Sequence, residues 1–197
     1  MVKVGLLFCG TFLGLSVAAF AADGESCGQN YWPGTLPEHA VDSVSASHLQ
    51  SFLDTAPIID GIKFQVTRKG SELWLDVVSY PGDVTALASI RTIFIIGRVV
   101  KPEYSKLVLA DKTEGEFQIS YRDLHAIGCQ FVWGVQGRGQ NPIALNRDLT
   151  DALRYYPSGQ RVAPAFTGSL LGDSSIMLNT LNNVVYPQWL FKTVEIK

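Results

Sequence analysis

Residues equipped for chemistry are scarce in this chain. It has three histidines and three cysteines among 197 residues. His39 and His48 fall nine positions apart on one expected helix, about 180° around its axis, so they cannot share a metal. No block of like charges exists, which removes the usual footprint for nucleic acid or an anionic membrane. The chain also lacks an Asn-x-Ser/Thr glycosylation sequon. Gly168-Ser169-Leu170-Leu171-Gly172 does not have the serine spacing of a nucleophile elbow. Gly137-Arg138-Gly139 lacks the third glycine and the strand-first order of a dinucleotide fingerprint. No cofactor and no metal are expected.

Only one apolar run is long, and it comes first. Val4 to Phe20 follows the single charge Lys3 and ends in Ala19-Phe20-Ala21, after which the polar run Asp23-Gly24-Glu25-Ser26 begins. Charge, apolar core and small-x-small site in that order form an export signal. Residues 1–21 are therefore expected to be cleaved, leaving residues 22–36 as an N-terminal arm and 37–197 as one domain. The run is too short and glycine-rich for a permanent anchor. Cys27 is preceded by polar residues, unlike a lipid-attachment cysteine. The mature chain would carry 15 basic and 18 acidic residues, a net charge of −3. It would be a soluble periplasmic or secreted protein with no stable membrane anchor.

Cysteine arithmetic follows from the leader. Cys9 leaves with it, and Cys27 and Cys129 remain in an oxidising compartment, where an even pair points to a disulfide.

Along the mature chain, Thr35 and Glu38 match a capping box. Val41, Val44, His48, Leu49, Phe52 and Leu53 share a face of a helix over 37–54, which places His48 on the packed side. Ile62, Phe64 and Val66 alternate with polar residues, and Leu73, Leu75 and Val77 form the return strand, giving a hairpin at about 62–78. Residues 84–100 read as a buried helix, although Ile93 to Ile96 are β-prone. A second hairpin occupies about 106–121. A short helix over 123–127 ends at Gly128, another covers about 145–155, and a glycine-interrupted one covers 169–183. Trp74 and Trp189 sit in strand patterns as core residues, with 189–196 as the last strand. The sum is an α+β fold, an antiparallel sheet of two hairpins plus a C-terminal strand, with helices mainly on one face.

Three functions are open to such a chain. The first is an exported, non-enzymatic binding protein acting on a protein or cell-envelope partner. Its site is the loop of Arg138, Gln140 and Asn141 with Trp133, joined by Tyr31 and Trp32. Glycines there allow close backbone approach, and the side chains are directional donors or broad contact surfaces. The second is an exported hydrolase of envelope material, with His125 as base or ligand and Asp123 or Glu116 assisting. His125 and Cys129, four apart, also match a nucleophile arrangement, but a bonded sulfur cannot attack. The third is a small-molecule carrier, which requires an enclosed apolar cavity. Arg147, Asp151 and Arg154 are spaced as helix-surface ion pairs.

Overall fold

The computed structural model describes residue 27 and residues 44–55, 61–135 and 141–192, the side chains of 132–135 excepted. The expected leader, Thr35, His39, most of the N-terminal arm and residues 193–197 lie outside the described residues.

Both hairpins form where alternation placed them. Strand β1 (Lys63–Lys69) pairs antiparallel with β2 (Glu72–Ser79), and β3 (Lys106–Asp111) with β4 (Glu114–Ser120). Between them runs helix α2 (Ala86–Val99). The sheet order is β1-β2-β3-β4-β5, and β2 lies parallel to β3, with Leu73 opposite Leu107 and Leu75 opposite Leu109. The fold is thus α+β with a mixed sheet, not a purely antiparallel one. The cause is α2. A helical crossover carries the chain back to the end of the sheet where β2 began, so the next strand starts in the same direction. The fifth strand also differs. It is the two-residue β5 (Arg154–Tyr155) on β4, whereas Trp189 ends a helix.

One face of the sheet presents Phe64, Leu73, Leu75, Val77, Leu107, Leu109, Phe117 and Ile119 to the helices. Helix α2 is buried on nearly all sides from Ala88 to Val99, Arg91 excepted, and Ile90, Ile93, Ile95 and Ile96 are completely buried. Such a helix has to sit between layers, and that burial overrides the β preference of its isoleucines. Its buried hydroxyls are satisfied locally, Thr92 on the Ala88 carbonyl and Ser89 on that of Ala86. The opposite face holds a small cluster of Trp74, Val108 and Ala110 with Tyr156 packed on it. There the Trp74 indole and the Tyr156 hydroxyl both donate to Glu72.

Helix α3 (Tyr121–Val135) follows β4 without a break and runs straight through Gly128. It is far longer than the 123–127 segment expected. Helix α4 (Pro142–Ala152) comes next, then β5, then α5 (Leu170–Thr180), a π turn over Leu181–Val185, and α6 (Tyr186–Trp189). Trp189 and Leu190 are buried in the main core. The first helix is shorter than its pattern. α1 covers Leu49–Thr55, because Val44 is committed to a parallel bridge with Val100. His48 is consequently exposed and bonded to Ser45, not packed.

Candidate functional site

Helices α2 and α3 cross at two glycines. A Cβ on Gly97 would collide with the carbonyl of Leu124, and one on Gly128 with the Arg98 amide and the Gly97 carbonyl carbon. Two backbones therefore touch with no side chain between them. That approach delivers the Gly97 carbonyl to His125 on α3, whose Nδ1 lies 2.9 Å from the oxygen. A carbonyl only accepts, so Nδ1 carries the proton and Nε2 of the neutral ring presents a lone pair. Tyr121, one turn earlier, stacks on the imidazole at 5.4 Å and 12°.

Nε2 lies 3.6 Å from Sγ of Cys129, one turn further along α3. Cys129 is bonded to Cys27, across 102 residues of sequence and with the Cα atoms 5.0 Å apart. The expected disulfide is thus present. The Cys27 sulfur lies 4.0 Å from the Arg98 carbonyl oxygen. Cys27, His125 and Cys129 hold their donor atoms within 4.8 Å of one another. With the sulfurs joined, neither cysteine offers the thiolate that a metal requires.

The carboxylates named for hydrolysis are engaged elsewhere. Asp123 accepts from the Ser120 hydroxyl at 2.7 Å, and that hydroxyl accepts from the Asp123 amide at 3.1 Å, a reciprocal cap on α3. Two positions before His125 on the same helix, Asp123 faces away from it. Glu116 alternates with the core-facing Phe117, so it points to the other side of the sheet, where it pairs with Lys192. The three groups are not brought together. The helix-surface pairs also regroup: Arg147 binds Asp148 at 3.0 Å, and Asp151 binds Arg161.

Of the loop proposed for binding, Asn141 is described. Its Oδ1 accepts from the Ala144 amide at 2.8 Å, so it caps α4. Residues 136–140, with Arg138 and Gln140, lie outside the described residues, as do Tyr31, Trp32 and the side chain of Trp133. Asn141 also lines a groove of about 310 Å³ between the starts of α4 and α5, with Ile143, Arg147, Leu170 and Asp173. Its rim is open, because Ile143 and Leu170 are exposed.

Helix α5 is turned against its own chemistry. It buries Asp173 and Thr180 beside Met177, while Leu170 is 76% exposed, Leu171 83% and Leu178 51%. No periodicity argument finds this, since the helix is apolar on both sides. What fixes the orientation is the Asp173 carboxylate. It accepts from the Thr167 amide at 2.7 Å, the Thr167 hydroxyl at 2.9 Å and the Gly168 amide at 3.1 Å. Burial pushes this carboxyl up, but these hydrogen bonds, with Arg147 nearby, hold it below its ordinary value. A group depressed on folding stabilises above its unfolded pKa of about 3.9, and that contribution disappears as pH falls through the folded value. Asp173→Asn is therefore expected to lower the melting temperature at pH 7, with the gap from wild type closing below about pH 4. Thermal melts of both proteins across that range check it.

No protein-family model, curated protein or solved structure matches this chain, so the reading of its site rests on its own geometry.

Proposed function

We propose that this chain is a non-enzymatic binding protein of the periplasm or exterior, and that it docks an apolar segment of a protein partner in the α4–α5 groove. The outward leucines of α5 carry the reading. Apolar side chains clustered on a groove rim mark an interaction surface, whereas single ones do not. A protein partner suits the groove better than a lipid surface. The local cation Arg147 is paired with Asp148, and the chain as a whole is acidic, so nothing draws it to anionic headgroups. The Cys27–Cys129 bond supports an extracytoplasmic setting. None of the helices in the described residues is long and apolar enough to cross a membrane.

The test is a photo-crosslinking residue at position 171, with a second at Leu87, an exposed leucine on α2, as control. In cells exporting the protein, position 171 should yield one discrete adduct with an envelope protein and position 87 none. Leu170→Asp should remove that adduct at least tenfold while shifting stability by less than about 0.5 kcal/mol, as exposed sites do. An adduct of two copies of this chain would replace partner binding by self-association. Equal labelling at both positions would defeat the assignment of the groove.

A further inference from the structure

The His125 imidazole lies beside the disulfide, with Nε2 toward the Cys129 sulfur. We infer that Cys27–Cys129 is an exchangeable disulfide, with His125 as the proton-transfer group of Cys129 and a dithiol reductant as reaction partner.

Three observations carry this. His125 Nε2 is 3.6 Å from the Cys129 sulfur, within reach of a proton carried between them. The Gly97 carbonyl, 2.9 Å from Nδ1, fixes which nitrogen faces the sulfur. Third, Cys129 is half-buried, and Cys27, the sulfur attacked, keeps 8% of its surface exposed. A cysteine on one helix turn with a histidine whose other nitrogen is held by an acceptor has the parts of an activated thiol. A disulfide serving only as a staple needs no such neighbour.

The exchange balances as follows. A thiol of the dithiol gives its proton to His125 Nε2, and the thiolate so formed attacks Sγ of Cys27 and bonds to it. The Cys27–Cys129 bond breaks, and its electron pair leaves on Cys129, which takes the proton carried by His125 Nε2. The second thiol of the reductant, as thiolate, attacks the reductant sulfur of the mixed disulfide. Cys27 departs as thiolate and is protonated by solvent. Two electrons and two protons have passed from the dithiol to the protein, and the reductant ends as a disulfide. In the reverse direction, Nε2 takes the Cys129 proton and the thiolate attacks. Cys129 is the better leaving sulfur because a thiol with a proton-transfer partner departs faster.

The charged side chains on the elements packed around the pair are mostly matched with one another. From α2 comes Arg98, the cation of its last turn and 4% exposed. Tyr121 stacks on His125 from α3, and Arg122 and Asp123 of that helix are close to each other at 3.7 Å. On α4, Arg147 and Asp151 are matched with Asp148 and Arg161. The strands beneath contribute buried Asp111, Lys106 bound to Glu72, and Glu116 bound to Lys192.

The experiment has two arms on the mature chain. In the first, Cys27→Ser isolates Cys129, and its alkylation by iodoacetamide is followed by intact mass from pH 5 to 10. The midpoint should fall at least one unit below the value of about 8.5 for a free thiol, and His125→Gln should return it to that value or above. In the second, the oxidised wild type and oxidised His125→Gln are reduced by dithiothreitol at pH 7. The variant should react about tenfold more slowly, and an acid quench should find the mixed disulfide on Cys27. This arm stands if Cys27→Ser does not fold, because both proteins keep the cross-link. Equal reduction rates, or a Cys129 midpoint at or above 8.5 that His125→Gln leaves in place, would overturn the inference.

Discussion

Breaking the Cys27–Cys129 bond is expected to lower the unfolding free energy by up to about 4.7 kcal/mol, the value for a closed loop of roughly 100 residues. The loop here spans 102. In the chain-entropy account the effect lies in the unfolded state. With the bond intact, unfolded conformations that separate residue 27 from α3 are forbidden; without it they are regained, and folding must exclude them again. For a domain of this size the loss corresponds to a fall in melting temperature of about 10–20 °C. Urea unfolding with and without reductant measures it. The Cys27→Ser, Cys129→Ser double variant repeats the measurement in non-reducing buffer and removes any effect of the reductant itself. Agreement between the two assigns the change to the cross-link.

Gly97→Ala and Gly128→Ala are each expected to destabilise by about 3 kcal/mol, the upper range for forcing volume into a packed contact. The sign matters more than the size. In an open helix, alanine exceeds glycine in propensity by about 1 kcal/mol, so an ordinary mid-helix glycine gains stability from this change. Here the new methyl of Gly97 would meet the Leu124 carbonyl, and that of Gly128 would lie 2.8 Å from the Phe94 carbonyl oxygen. These are backbone atoms, and they can move only if α2 and α3 separate. The two sites share one contact, so the double variant should cost less than the sum of the singles. Urea denaturation of the three variants checks both statements. Separation of the helices would also lengthen the His125–Gly97 hydrogen bond, so dithiol reduction should slow as stability falls.

That crossing marks where the sequence ceased to be legible. Alternation located both hairpins, because the period of two in residues 62–66 and 117–121 reports directly on a half-buried strand. The buried helix over 84–100 also followed from its length and its Pro-Gly-Asp start. The parallel pairing of β2 with β3 did not follow, since alternation says nothing of strand direction. Gly128 was misleading. Read locally, a glycine after a short amphipathic run ends a helix; in the fold it is the surface on which α2 rests, and α3 continues past it. Two facts about the site were hidden with it. One is that the helix continues through both His125 and Cys129, whose four-residue spacing was itself plain in the sequence. The other is that the Gly97 carbonyl, 28 residues earlier, orients the ring.

The outward leucines of α5 were equally invisible. LLGDSSIMLNT is apolar on more than one side, and only the tertiary hydrogen bonds of Asp173 decide which side faces solvent. In contrast, the disulfide could be read from counting. One cysteine sits in the expected leader, and the other two have no third to compete with.

Export of this protein requires a chain that sheds its leader and joins its two remaining sulfurs. An intact mass of the protein recovered from cells, under non-reducing conditions with free thiols blocked at lysis, tests both at once. The predicted result is the mass of residues 22–197 less two hydrogens, with no blocked thiol. A full-length chain carrying blocking groups on Cys9, Cys27 and Cys129 would contradict it.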